Sequence, residues 1–189
     1  MQATGIQLYP PDSTDVPSLS GEVFPYDAFM GKWHVVWSTL PLWNDKKDVT
    51  ITYKSLPSDG EKRKFDDLVE YRKQSASSDS APSTVLGVDT LNTSSTSHGA
   101  AFDWRGKGWL MIATSHWQVL GYDPAPEPQW AVTYFSKTLF TPAGVDIYLR
   151  SPITPDNRVL VQEIVSKLKH VPGEIARLSG SGFVVGEAK

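Results

Sequence analysis

The residues able to do chemistry in this chain are few, and their spacing excludes more than it offers. The four histidines, His34, His98, His116 and His170, show no His-x-x-x-His or related ligand spacing, so no zinc site is expected. There is no cysteine, which removes disulfides, thiolate metal sites and a Cys nucleophile. No Gly-x-Ser-x-Gly elbow is present. Gly106-Lys107-Gly108 is hairpin-turn chemistry, lacking the glycine spacing and following helix of a phosphate loop. Neither a cofactor nor a metal is therefore expected. What remains is a set of hydroxyl, imidazole and carboxyl groups, Tyr71, His116, Tyr134, Asp146 and Tyr148. Buried beside a substrate carbonyl, such groups would polarise it or move a proton. Around them is a rich aromatic supply of seven Trp, seven Tyr and seven Phe.

Those groups must be positioned by strands. Val49-Thr50-Ile51-Thr52-Tyr53-Lys54 alternates apolar and polar residues with period two, the mark of a half-buried strand. Similar segments are expected at residues 32–39, 65–73, 84–91, 100–104, 109–122, 130–137 and 145–149. Pro57-Ser58-Asp59-Gly60 and Asn92–Gly99 supply turn residues, and the Ser-rich stretch 74–83 a longer loop. Eight short strands in series predict an all-β, up-and-down antiparallel barrel. Thr154-Pro155-Asp156 is a helix start, and Val161, Ile164, Val165 and Leu168 form one apolar stripe, so a C-terminal helix is expected to pack on the barrel wall. One more short strand is expected around residues 182–185. The organisation is an irregular, Pro-rich arm over residues 1–24 and a single domain over residues 25–189.

Composition narrows the partners. With 18 basic and 21 acidic residues the net charge is −3, which offers no electrostatic case for nucleic acid or an anionic membrane. No segment approaches the length of a membrane span. The N-terminal residues Met1–Leu8 lack the apolar run of a signal peptide, and the missing cysteines suit a reducing compartment, so a cytoplasmic location is expected.

Three separated motifs resemble those of the lipocalins, within the wider calycin superfamily. Gly31-x-Trp33 resembles the family's first motif, Gly121-Tyr122-Asp123 its second, and Val145–Pro152, with Arg150, the end of its eighth strand. The similarity runs over about residues 25–170 and is nearest to the bacterial- and intracellular-type branch. It implies an eight-stranded calyx open at one end, with Gly31, Trp33 and Arg150 as structural residues and the Arg stacked over the Trp at the floor. The loops 40–47, 74–83, 105–108 and 137–144 would then ring the mouth, with Leu40, Leu42 and Trp43 as a lid. If Trp33 points inward, period-two phasing carries Val35 and Trp37 with it. By apolar phase Ile51, Tyr53, Val69, Tyr71, Phe102 and Trp104 face in, as do Trp130, Val132 and Tyr134. If Arg150 reaches the floor, Tyr148 and Asp146 share its face. Strand 109–122 has two apolar faces. The one bearing Trp109, Met111, Trp117 and Val119 is favoured inward, and a one-residue bulge would exchange them.

The lining expected to touch a ligand is thus Val35, Trp37, Trp43, Tyr53, Val69, Tyr71, Phe102, Trp104, Met111, Trp117, Tyr134 and Tyr148. Two functions follow from it. One is the binding of a bulky hydrophobic molecule, such as a polycyclic, polyene or lipid-like compound. The other is a cofactor-free isomerase or cyclase that folds such a molecule into a reactive shape.

Overall fold

The structure is a computed structural model that describes residues 5–57, 62–94 and 98–187. Residues 58–60 of the expected turn at 57–60 and residues 95–97 of the turn at 92–99 lie outside the described residues, as do residues 1–4. Eight strands follow one another: β1 (Gly31–Ser38), β2 (Lys46–Ser55), β3 (Lys64–Lys73), β4 (Ser83–Leu91), β5 (Ala101–Gly106), β6 (Thr114–Tyr122), β7 (Trp130–Phe135) and β8 (Gly144–Leu149). Each pairs antiparallel with its neighbour in sequence, and β1 pairs with both β8 and β2, so the sheet closes on itself. A short β9 (Phe183–Val184) adds to the outer end of β1, where one further strand was expected.

The barrel wall has two apolar sides. Inside, Trp33, Val35, Ile51, Tyr53, Phe65, Phe102, Trp117 and Tyr148 form the main core. Outside, α2 (Pro155–Leu168) and α3 (Glu174–Ser179) cover β1, β7 and β8. Val161, Ile164, Leu168 and Ile175 pack there on Val36, Trp37, Val132, Ile147 and Leu149. The start of α2 follows from its sequence. The Thr154 hydroxyl accepts from the Asn157 N–H at 3.3 Å and the Asn157 side chain accepts from the Thr154 N–H at 2.7 Å, a reciprocal cap that satisfies donors no helical carbonyl can reach.

The floor is sealed by the arm that precedes the barrel. A single turn, α1 (Tyr26–Phe29), delivers Phe29 beneath Trp33, whose indole N–H donates to the Phe29 carbonyl at 2.8 Å. Leu19, Phe24 and Phe29 are buried with the inner core, so the arm expected to be irregular is packed as a plug. Gly31 opens β1 at φ +92°, a conformation that favours glycine. Beside it the Arg150 guanidinium lies 3.6 Å from the centre of the Trp33 ring. It also donates to the carbonyls of Ala28, Lys32 and Pro128. One cation thereby caps the floor and ties α1, β1 and the β6–β7 side together.

Two departures change what faces the interior. A bulge interrupts the β1–β8 register between Val35 and Trp37. Trp33 and Val35 point inward as expected, but Trp37 turns out to the helices and pairs beside Val184 of β9. A second irregularity lies between Val119 and Gly121 in the β6–β7 pairing. Strand β7 is buried on both faces, and its Trp130, Val132 and Tyr134 point outward, leaving Ala131, Thr133 and Phe135 inside. Apolar phase carries no information for a strand covered on both sides. That is why Trp37 and Tyr134, expected inside, are found outside.

Candidate ligand-binding site

The three loops 39–45, 107–113 and 136–143 surround an opening at the end of the barrel opposite Arg150. Behind it lies a cavity of about 220 Å³. Each strand contributes through its inward phase. Ile51 and Tyr53 come from β2, Asp67 and Val69 from β3, Trp104 from β5, Ser115 and Trp117 from β6, Phe135 from β7 and Asp146 from β8. Leu40, Leu42, Trp43, Thr138, Phe140 and Thr141 complete the mouth. Gly87 on β4 gives the cavity its shape. An added Cβ there would stand 2.0 Å from the Trp104 ring, so the missing side chain is what lets that indole lie across the inner wall.

Three inward carboxyls sit in this otherwise apolar interior. Asp67 is 7% exposed, Asp89 0% and Asp146 1%. Asp89 accepts from the Trp117 indole N–H at 2.6 Å. Asp146 accepts from the Ser38 hydroxyl at 2.5 Å and from the Trp43 indole N–H at 3.4 Å. Burial pushes the Asp146 carboxyl up to about 7, against the pull of those two donors. Burial likewise raises Asp67 and Asp89, which perturb one another, and for Asp89 the neighbouring Asp67 adds to the rise. The Tyr53 and Tyr148 hydroxyls beside them are also pushed up, chiefly by burial. Asp67 and Asp89 are hydrogen-bonded to one another, and the Tyr148 hydroxyl to those of Thr133 and Tyr53, so the buried polar groups satisfy one another beneath the cavity.

The mouth is tied to these acids. The Ser38 hydroxyl that donates to Asp146 accepts from the Leu40 N–H at 2.8 Å. Thr39 and Val145 exchange two bonds, of 2.9 and 2.8 Å, which extend the β1–β8 ladder to the base of the loop. The loop then makes one 3-10 turn, Pro41–Trp43, whose Trp43 packs 6.1 Å from the Tyr71 ring. Trp43 thus roofs the cavity while its indole N–H points to the interior.

The residues expected at the site divide four ways. Trp43, Tyr53, Val69, Trp104, Trp117 and Asp146 line the cavity. Val35, Phe102 and Tyr148 are inside the barrel but sit in the packed core below it, with Phe102 4.7 Å from Trp117. Tyr71 stands at the rim beside Trp43, with Lys46 over its ring. Trp37, Tyr134, His116 and Met111 lie elsewhere. Tyr134 donates to Glu174 of α3 at 2.8 Å. His116 faces the outer wall, 2.9 Å from Asp103. Met111 is 55% exposed in the turn before β6, which begins at Thr114 rather than residue 109. The acid–base candidates therefore do not converge: of the five, only Asp146 lines the cavity.

Asp67, Asp89 and Phe135 were missed. For the two acids the signal was present, since Phe65-x-Asp67-x-Val69-x-Tyr71 and Val85-x-Gly87-x-Asp89-x-Leu91 each put an Asp on an apolar phase. Among the described residues no group of three His, Asp or Glu is arranged to hold a metal.

This architecture is the lipocalin fold. A siderocalin, Ex-FABP, with dual ligand specificities superimposes with a TM-score of 0.50 at 14% identity, covering 86% of this chain and 96% of that one. The amine-binding protein of Rhodnius prolixus, solved as its tryptamine complex, also gives 0.50, at 11% identity over 86% and 77% of the two chains. No protein-family model and no curated protein matches the sequence. Among the described residues no helix is long and apolar enough to cross a membrane.

Proposed function

We propose that this protein binds a small lipophilic molecule inside the barrel, beneath the loop that carries Leu40, Leu42 and Trp43. The observation that carries the reading is the cavity of about 220 Å³, walled by three indoles, Trp43, Trp104 and Trp117, with a few polar groups at its base. Concave, mostly apolar sites with few polar groups are where small molecules bind. The volume suits a compact compound of two or three rings rather than the bulky polycyclic or polyene molecule expected from the aromatic count. Exposed apolar residues at the mouth support the same reading. Phe140 is 72% exposed and Leu42 37%, yet both also line the cavity, so an entering ligand would cover them.

A neutral fluorescent probe, N-phenyl-1-naphthylamine, tests it. Wild-type protein is expected to enhance the probe's emission with one-to-one stoichiometry. Ser115→Phe, which fills the cavity from β6, is expected to abolish that enhancement while leaving the circular dichroism spectrum unchanged. Equal binding by wild type and Ser115→Phe, or no binding by either, would sink the proposal.

A further inference from the structure

A ligand inside the barrel would leave part of the mouth uncovered. Among the described residues eight large apolar side chains are well exposed. Five of them, Leu42, Met111, Ile112, Leu139 and Phe140, stand on the three loops around the opening. Leu42 and Phe140 also line the cavity, but Met111, Ile112 and Leu139 do not. Ile112 is 84% exposed and Leu139 96%, so neither is packed on the barrel. The tips that carry them are held in shape. The Thr138 hydroxyl accepts from the Phe140 and Thr141 N–H groups, both at 3.0 Å. The 3-10 turn Gly108–Leu110 is followed by Met111, whose carbonyl accepts from Arg105 Nε at 3.0 Å.

Between these tips runs a cleft of about 860 Å³, lined by Ile112, Leu139 and Phe140 with Arg105 and Lys137. It shares Trp104, Thr114, Ser115, Thr138 and Phe140 with the calyx, so a largely apolar path leads from the rim to the interior. Charge at this end runs against that of the chain. Residues 39–46, 105–113 and 136–143 carry Lys46, Arg105, Lys107 and Lys137 against Asp45, and loop 74–82 adds only Asp79, in a chain whose net charge is −3. Lys46 and Lys107 pair with Asp45 and Asp66. Arg105 and Lys137 line the cleft, whose one acid among the described residues, Asp103, lies against His116. The rim is therefore apolar at its tips and cationic just behind them.

Resting on the reading of the calyx as a site for a lipophilic ligand, we propose that the mouth docks on an anionic lipid bilayer and exchanges its ligand there. Ile112, Leu139 and Phe140 enter the boundary between headgroups and acyl chains, and Arg105 and Lys137 meet lipid phosphates. Separate projecting tips suit a fluid that conforms to them, whereas a protein partner would need a pocket for each. Charge disfavours a second copy of this chain. A two-fold contact sets one patch against itself and would bring Arg105 and Lys137 onto their own mates. The negative charge of the remaining surface is repelled by the same lipids, which fixes the orientation with the mouth toward the bilayer. A lipophilic molecule then moves along the cleft without crossing water.

The experiment sediments the full chain with vesicles of phosphatidylcholine containing about 30 mol % phosphatidylglycerol, at about 0.1 M salt. Wild type is expected to co-sediment, and to bind vesicles of phosphatidylcholine alone about tenfold less well. Ile112→Ser combined with Leu139→Ser removes two tips that do not line the cavity. The double variant is expected to lose about tenfold or more in vesicle binding. Its binding of N-phenyl-1-naphthylamine, measured without vesicles, is expected to be unchanged, which verifies that it folds. Lys137→Glu is expected to weaken binding to the mixed vesicles and to leave binding to phosphatidylcholine alone as it was. If wild type stays in the supernatant with both vesicles, or the double variant binds them as wild type does, the docking is overturned while the ligand reading stands. A dimer of wild type that the double variant dissolves, with no vesicle binding, overturns it in favour of a second copy. If wild type binds the vesicles but not the probe, the ligand reading falls and the exchange of ligand with it.

Discussion

The acid beneath the lid makes a quantitative statement about stability against pH. Asp146 titrates at about 7 in the folded chain and would return to its ordinary 3.8 on unfolding. A carboxyl whose folded value is raised binds more protons in the native state than in the unfolded one. Its contribution is therefore fully present at low pH and is lost as pH rises toward 7. The shift of roughly three units corresponds to about 4 kcal/mol over the whole window, of which about 2.5 kcal/mol falls between about pH 5 and pH 8. The histidines His34 and His98 are pushed down, chiefly by burial, and act in the opposite sense. The raw profile therefore mixes several groups. The clean quantity is a double difference. Urea unfolding, followed by tryptophan emission, is run on wild type and Asp146→Asn at both pH values. The neutral asparagine cannot lose a proton, so the variant should lose about 2.5 kcal/mol less than wild type on going to pH 8, roughly 1 M in urea midpoint. The replacing amide can still accept from Trp43 and pair with Ser38, which keeps the comparison isosteric. A double difference within about 0.5 kcal/mol of zero, or of the opposite sign, would refute the placement of this carboxyl in a dry interior.

The remaining expectations concern parts of the wall with separate duties. Arg150→Ala removes the stack on Trp33 and frees three carbonyls from their donor; it should cost about 2–4 kcal/mol in urea unfolding and leave probe affinity unchanged, because the floor is far from the mouth. Gly87→Ala forces the Trp104 indole off the inner wall and should cost about 1–3 kcal/mol while weakening probe binding, with a red-shifted tryptophan emission as the spectroscopic sign. Tyr134→Phe removes the hydroxyl that bonds Glu174 and Ser136 and should lower stability by about 1 kcal/mol with no change in ligand affinity. Ile164→Ala on α2 should cost about 2–4 kcal/mol, again without touching the cavity.

What the sequence made legible is what a local pattern controls. The cap at Thr154 and the apolar stripe of α2 follow from neighbours in the chain and are found in place; the Arg150 stack on Trp33 joins the two ends of the barrel sequence and was implied by the family resemblance alone. On β2, β3 and β5, where solvent bathes the outer face, alternation assigned Tyr53, Val69 and Trp104 correctly. It failed on β1 and β7, because α2 and α3 make the outside as apolar as the inside and bulges shift the phase by one. Trp37 and Tyr134 were misassigned for that reason. Asp67 and Asp89 were passed over for a different one. A search for catalytic types weighs histidine and tyrosine first, whereas the anomaly here was an acid on an apolar phase. His116, by contrast, carried a chemical type without a position, and its partner across the strand turned out to be Asp103 on the outer wall.

The bulge in β1 also bears on how such a molecule can change over time. Val35 faces the interior, Val36 and Trp37 face the helices, and Ser38 faces the interior again. Within four consecutive residues the chain thus serves two independent clients. Substitutions at positions 36 and 37 are answered by compensating changes in α2, α3 and β9, and those at positions 35 and 38 by changes around the acids. A lineage can therefore retune its ligand without reopening the negotiation between barrel and helices. The loss of a single residue at the bulge would couple the two again, by swinging an indole into the calyx.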